Sequence, residues 1–323
     1  MPGDERDSAQ LLAAARDGDR RALARLISRA ERGDAPPPLP AGDDPGALCL
    51  GITGAPGAGK STLVNGLVSA ALASHARVAV LAVDPSSPLS RGSLLGDRLR
   101  MHQHLTSEQV YIRSMATRGR LGGLAAATQG ARRLLQACGW PLVLIETVGI
   151  GQVELDITSA ADLALVVLNP GFGDEIQANK AGLMEVADLF VINKADRPGA
   201  AAARRDIEGV QATRPAAQRV PVLETVASEG QGVSALWQAL AARATALRAS
   251  GELARRRQGQ RRGELLQQLR QQLERSLDDY AASPAFGELL QALSRGELDA
   301  RDAGDRALAA LLARLQPESR PAA

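Results

Sequence analysis

Cysteine is scarce in this chain. Only Cys49 and Cys138 occur among 323 residues, both in apolar surroundings. Two lone thiols argue against a disulfide framework and read as small buried hydrophobes. Long hydrophobic runs are missing as well. The longest, Ala161 to Leu168 with Asp162 inside it, is far short of the roughly 20 residues that span a bilayer. No basic apolar leader opens the sequence, so the expectation is a soluble, cytoplasmic protein with no membrane partner. A formal net charge of +2 leaves no electrostatic footprint for nucleic acid. Histidine occurs at 75, 102 and 104 only, and the latter two would point to opposite sides of a helix, so no metal cluster is visible.

Lysine is the sharpest shortage. It stands at positions 60, 180 and 194 alone, while arginine is spread along the whole chain. Where arginine replaces lysine wherever a charged stem suffices, the lysines that remain mark places that need a compact ammonium.

What is present divides the chain into three. Apolar residues make up 45% and charged residues 23%, enough for one sizeable core and a smaller appendage. Residues 1–45 read as a helical extension and linker. Leu11, Leu12, Ala15, Leu23, Leu26 and Ile27 form an apolar stripe broken by "RDGDRRAL", and "GDAPPPLPAGDDPG" follows as a Pro/Gly/Asp segment. Residues 46–248 alternate buried strands with amphipathic helices. Candidate strands are 47–53, 77–83, 110–113, 141–147, 163–169, 189–194 and 220–226, with a closing helix at 233–247. Continuous Val/Leu/Ile runs of this kind predict an α/β fold with a mainly parallel central sheet covered on both faces. Residues 249–323 lose all strand character and read as amphipathic helices. Their apolar stripes either form a dimer interface or pack on the chain's own α/β domain.

The segment "GAPGAGKS", 54–61, matches Gly-x-x-x-x-Gly-Lys-Ser between a strand and a helix. Gly54, Gly57 and Gly59 let the backbone N–H groups of Gly54, Ala55, Pro56, Gly57, Ala58 and Gly59, proline excepted, curl around a pyrophosphate. Lys60 can reach the β/γ-phosphates, Ser61 offers a hydroxyl to Mg²⁺, and Thr62 follows at the helix start. The bland alternative is a Gly-rich helix start. "NKAD", 193–196, ends another apolar strand. Asn193 can hold the loop, the Lys194 stem can lie over a purine, and Asp196 can accept from guanine N1–H and its exocyclic amine. Alone the motif could be a surface turn; about 140 residues after a P-loop it reads as a GTP signal. In "ETVASEGQG", 224–232, Ala227 is the candidate backbone donor to the base.

Carboxylates lie between these motifs. Asp84 ends a strand in "AVDPSSP", Asp97 sits in "LLGDRLRM", and Glu146 ends "LVLIE" with Gly149 three residues on. Acids at strand ends beside a P-loop are natural ligands of Mg²⁺ or of its water shell, alongside Ser61. Helix capping or turn formation is the competing reading for Asp84 and Asp97.

The runs "GAPGAGKSTL", "VAVLAVDPSSPLSRGSLLGDRLRM", "YIRSMATRGRLGG", "LIETVGIGQVE", "NPGFGDEIQANKAGLMEVAD" and "NKAD" resemble the MeaB/ArgK family of P-loop GTPases. That family carries Glu in place of Asp in its third nucleotide motif. The resemblance implies a homodimeric G-protein chaperone of an adenosylcobalamin-dependent acyl-CoA mutase, chiefly methylmalonyl-CoA mutase. It implies GTP/GDP and Mg²⁺ as ligands, and a cobalamin adenosyltransferase as a further partner. Lys60, Ser61, Asp84, Asp97 and Glu146 match the family's nucleotide and Mg²⁺ elements, and Lys180 falls in its mobile loop at 169–182. The sparse histidines set the chain apart from nickel-insertion GTPases.

Two features bear on mechanism without the family. No Gln directly follows Gly149; the nearest is Gln152, which predicts slow intrinsic hydrolysis that a partner accelerates. Arg113, Arg118 and Arg120 could reach phosphate or a partner chain, or be ordinary ion-paired arginines. Competing readings are a P-loop kinase that phosphorylates a periplasmic amino-acid transport component, and a module that binds GTP but hardly hydrolyses it. "NKAD" argues against the kinase.

Overall fold

The computed structural model describes residues 2–32, 34, 37, 39, 46–84, 104, 107–116, 123–147, 161–171 and 185–315. All seven predicted strands form: β1 (Leu48–Gly54), β2 (Val78–Asp84), β3 (Val110–Ala116), β4 (Leu142–Thr147), β5 (Leu163–Leu168), β6 (Leu189–Asn193) and β7 (Val222–Thr225). They make one parallel sheet in the order β3-β2-β4-β1-β5-β6-β7. The chain builds one wing on β4's side of β1 and the other on β5's side. The topological switch point therefore lies at the carboxyl end of β1, where open α/β sheets bind ligands.

The alternation of strand side chains explains why both faces are covered. Leu48, Leu50, Ile52, Val78, Val80, Leu142, Leu144, Leu165 and Val167 face one core, which α3 (Lys60–Ala71) and α6 (Val233–Ala249) close. Cys49, Ala79, Leu81, Val83, Val143 and Ile145 face the other, closed by α1 (Pro2–Arg16), α2 (Arg20–Arg32) and α4 (Gly123–Ala137). On the second wing, Val166, Leu168, Phe190 and Ile192 pack under α5 (Ala200–Ala212). Both cysteines are buried, and burial pushes the Cys49 thiol up to about 12 and Cys138 up to about 11. Their place in the core is that of small hydrophobes.

The break expected at "RDGDRRAL" is a tight turn. Gly18 takes a φ of 101°, and Asp19 Oδ1 accepts from the N–H groups of Arg21 and Ala22 (2.8 and 3.2 Å), capping α2. The resulting hairpin is anchored to the sheet edge. Arg20 donates to the carbonyls of Ser107 and Val110 and lies over the Tyr111 ring.

The chain divides into two compact units, Met1–Gln258 and Gly259–Ala323, with the boundary inside α7 (Glu252–Ala281). In the first unit, a buried ionic clasp pins the start of α7 beneath the sheet. Asp162, fully buried, accepts from Cys49 N–H (2.8 Å) and from Arg257 Nε and Nη2 (2.8 and 2.7 Å). Asp188 accepts from Ala164 N–H (3.0 Å) and from Arg256 Nη1 (2.8 Å). The second unit comprises the rest of α7, α8 (Pro284–Ser294) and α9 (Ala300–Leu315). Among its described residues Tyr280 is buried, edge-on to Phe286 and covered by Arg314.

Removing one partner of a buried ion pair leaves the other charge uncompensated, at a cost of about 3–5 kcal/mol. Asp162→Ala should therefore lower the thermal unfolding midpoint by about 10 °C. A shift within about 2 °C would show that the clasp contributes little.

Candidate nucleotide-binding site

Geometry at the end of β1 follows from glycine. Gly54 has φ 142°, and a Cβ there would lie 2.0 Å from the Val167 carbonyl oxygen, so the β1–β5 pairing admits no side chain. Gly59, at φ 89°, is the N-cap of α3, and no side chain caps the helix. The first-turn N–H groups of α3 are thereby left to an anion at the positive end of the helix. Lys60 Nζ donates to the carbonyls of Gly54 (2.5 Å) and Ala55 (2.9 Å), which holds the ammonium over the curled loop. Pro56 and Gly57 are exposed at its rim, Ala58 is buried beneath it, and Thr62 faces outward on the first turn of α3.

The β1–β4 pairing sets Ile52 opposite Glu146, and the chain then turns through the loop into α3. As a result Ser61 Oγ donates to Glu146 Oε1 at 2.6 Å, with both residues buried. Asp84 is the last residue of β2, one position beyond Val83, whose partner in β4 is Thr147. Glu146 and Asp84 thus stand at the ends of two adjacent strands, and Ser61, in the first turn of α3, is bonded to Glu146. The Ser61 hydroxyl and the Glu146 carboxylate are oxygen donors of the kind that a hard divalent cation such as Mg²⁺ takes. Asp97 and Gly149 lie outside the described residues, as do Arg118, Arg120, Gln152 and Lys180.

The 193–196 motif is tied directly to the P-loop. Asn193 Nδ2 donates to the Ala58 carbonyl (2.9 Å), and Asn193 Oδ1 accepts from Thr225 Oγ1 (3.1 Å) and Ala227 N–H (3.0 Å). Lys194 is the one described non-glycine residue with a positive φ, 58°, and its Nζ donates to the Gly57 carbonyl (2.6 Å). A left-handed lysine stores strain of about 1–2 kcal/mol and marks a functional turn. Asp196 stands exposed beside it.

The candidate residues from the P-loop, β4 and the 193–196 turn are therefore brought together. Ala227 is also there, but its N–H is directed at Asn193. Arg113 is not: it donates to Ser28 Oγ (2.8 Å) and pairs with Glu31 (2.8 Å), the ion-paired alternative. Sequence reasoning missed Thr225, the second support of Asn193, although it stands two residues before Ala227 in "ETVA". It also missed the direct Ser61–Glu146 bond, which joins residues 85 positions apart.

Comparison with known proteins gives this geometry a family. Residues 42–281 match the model of the methylmalonyl Co-A mutase-associated GTPase MeaB. The chain belongs to the MeaB family of GTPases. It is 41% identical over 304 residues to a Pyrococcus abyssi protein named as a GTPase, covering 90% of this chain and 89% of that one. It is 40% identical over 219 residues to the GTPase ArgK of Escherichia coli, covering 66% of each. The crystal structure of an LAO/AO transport system kinase is 28% identical, covers 97% of this chain and 99% of its own, and superposes with a TM-score of 0.63. Like its relatives in the MeaB family, the chain is a GTP hydrolase.

Gly59 and Gly57 of the loop give a graded expectation. A Cβ at Gly59 would lie 2.4 Å from Asn193 Nδ2, whereas one at Gly57 (φ 76°) meets nothing within 4 Å. Gly59→Ala should weaken GDP binding, followed with a fluorescent analogue, by about tenfold beyond any loss in Gly57→Ala, on the order of the tie it displaces. Gly57→Ala should cost only its backbone strain, about 1–2 kcal/mol. Equal losses for the two variants would contradict this placement of Asn193.

Proposed function

We propose that this MeaB-family GTPase is a Mg²⁺-dependent switch that gates adenosylcobalamin delivery to an acyl-CoA mutase and protects or reactivates that enzyme. The Ser61–Glu146 hydrogen bond carries the mechanistic half of this reading. It sets a buried carboxylate, one methylene longer than Asp, against the hydroxyl that closes the P-loop. The family's association with methylmalonyl-CoA mutase supports the choice of partner.

In this reading Lys60 moves its ammonium from the loop carbonyls onto the β/γ-phosphates, and the uncapped N–H groups of α3 bind the phosphate oxygens. Ser61, Asp84, Asp97 and Glu146 would hold Mg²⁺ directly or through water. When bound, the ion neutralises charge that develops on the phosphate oxygens. Glu146 would orient the attacking water or contact the ion through a water, and Gly149 stands three residues on in the same motif. Asp196 selects guanine, Lys194 lies along the purine, and Ala227 contributes its N–H to the base edge once the loop adjusts around Asn193. Without a Gln directly after Gly149, hydrolysis by the chain alone is slow, on the order of 10⁻⁴ per second, and the partner accelerates it.

The remaining proposals concern assembly. Residues 1–45 serve as an extension, 46–248 as the GTPase domain and 249–323 as a homodimerisation arm. Leu265, Leu266, Leu269, Leu273 and Leu277 on α7 are exposed, and such a stripe supports self-association. A cobalamin adenosyltransferase is a second partner. We place the protein in the cytoplasm without nucleic-acid or membrane partners; among the described residues no helix is long and apolar enough to cross a membrane. The alternative of a kinase acting on a periplasmic amino-acid transport component draws on the likeness to the LAO/AO transport system kinase. The guanine-side turn built around Asn193 favours the GTPase switch over it.

One assay separates these readings. Single-turnover hydrolysis of γ-labelled GTP should be slow alone and at least about tenfold faster with an adenosylcobalamin-dependent methylmalonyl-CoA mutase. Label should appear as inorganic phosphate. Glu146→Gln should remove most of the stimulated rate while changing GTP affinity by less than about threefold. Label transferred to protein, or a rate above about 1 per second without a partner, would overturn the switch.

A further inference from the structure

The sheet beneath α3 changes character at its carboxyl end. Leu48, Leu142, Val78 and Val110 stand in register across β1, β4, β2 and β3, and Leu50, Leu144, Val80 and Ile112 form the next row on the same face. Both rows pack into the core that α3 closes. Strand side chains alternate, so the third row on that face is Ile52, Glu146, Ala82 and Ser114. Two polar residues there flank a small apolar one. Glu146 accepts from Ser61 of α3, and Glu146, Ala82 and Ser114 are all buried, Ser114 at 9% exposed.

Ser114 breaks the apolar pattern of its strand face, and its Oγ is buried with no hydrogen-bond partner among the described residues. Burying a hydroxyl unbonded is unfavourable, and alanine would fill the same position without that cost. Asn65, one helical turn beyond Ser61 on the same side of α3, holds a second such oxygen, Oδ1. Buried polar atoms of this kind are met by ordered water or by a ligand. Strands about 4.8 Å apart put the Cα atoms of Ser114 and Glu146 about 10 Å from each other, with Ala82 between them in the row. A serine, a glutamate and one or two waters span that gap. A carboxylate offers about four acceptor sites, so Glu146 can take such a water beside its bond from Ser61.

We propose that Ser114 is a positioning residue of the nucleotide site: its hydroxyl anchors the ordered water that links it to Glu146, and so steadies the water shell of the bound cation. Ser114 touches neither nucleotide nor ion in this arrangement and acts through Glu146. In the ligand-free chain its hydroxyl stays unbonded, and loading the site satisfies it. The inference rests on the Mg²⁺-dependent reading above and names a residue that the nucleotide motifs do not include.

The test follows thermal unfolding of the full chain, first without ligands and then with saturating guanosine 5′-(β,γ-imido)triphosphate over a range of Mg²⁺ concentrations. Without ligands, Ser114→Ala should raise the midpoint by about 2 °C or more, because it removes a buried hydroxyl that has no partner. With the nucleotide, the Mg²⁺ concentration that gives half of the stabilisation should rise about fivefold. In a Glu146→Gln background the same substitution should change that concentration by less than about twofold, because the water has lost its second anchor. A lowered midpoint without ligands, an unchanged Mg²⁺ requirement, or the full fivefold effect retained beside Glu146→Gln would overturn this role for Ser114. The parent chain tests the underlying reading separately: if Mg²⁺ does not stabilise it, that reading falls and the role of Ser114 falls with it.

Discussion

The side chain of Asn193 is the tie on which the nucleotide site depends. Its amide nitrogen donates to the P-loop at Ala58, and its amide oxygen gathers Thr225 and Ala227 from the turn after β7. Three chain segments far apart in sequence thus share one buried group. The price of leaving such a group unpaired is about 1–3 kcal/mol for each lost bond. Gly59 must lack a Cβ because Asn193 approaches it, and the left-handed turn at Lys194 follows because the chain reverses straight after the tie. The P-loop, the 193–196 turn and the turn after β7 are therefore one hydrogen-bonded unit.

At the opposite end of the sheet the chemistry inverts. There Asp162 and Asp188, at the starts of β5 and β6, bind backbone N–H groups and the guanidinium groups of Arg257 and Arg256. Glu146, near the carboxyl end of β4, accepts from the Ser61 hydroxyl, whereas Asp162 and Asp188 at the amino ends are neutralised by arginines. This division explains the uneven use of cations. Arginine, with its planar fork, serves the buried carboxylates, while Lys60 and Lys194 each direct a compact ammonium at P-loop carbonyls.

Much of this was legible in the residues. Apolar runs located all seven strands to within two or three residues, because buried parallel strands leave uninterrupted hydrophobic stretches. "GAPGAGKS" and "NKAD" announced themselves because glycine and a short polar motif have few other reasons to stand at strand ends. What did not show was pairing across distance. Nothing local in "LVLIE" states that Glu146 reaches Ser61, since that contact is set by β1–β4 register. The clasp at Asp162 was equally hidden. In the sequence that residue looked like an interruption of an apolar run, and its partner lies 95 positions away. Arg113 was ambiguous among many arginines until the hairpin placed Glu31 beside it.

The most direct measurement is the affinity of Asn193→Ala for GDP and, separately, for inorganic pyrophosphate, with folding checked by circular dichroism. If Asn193 joins the two halves of the site, both affinities fall, GDP by at least about 30-fold, from the loss of two to three buried hydrogen bonds. Unchanged pyrophosphate binding beside a lost base contribution would contradict the account. The base loop and the phosphate loop would then be independent.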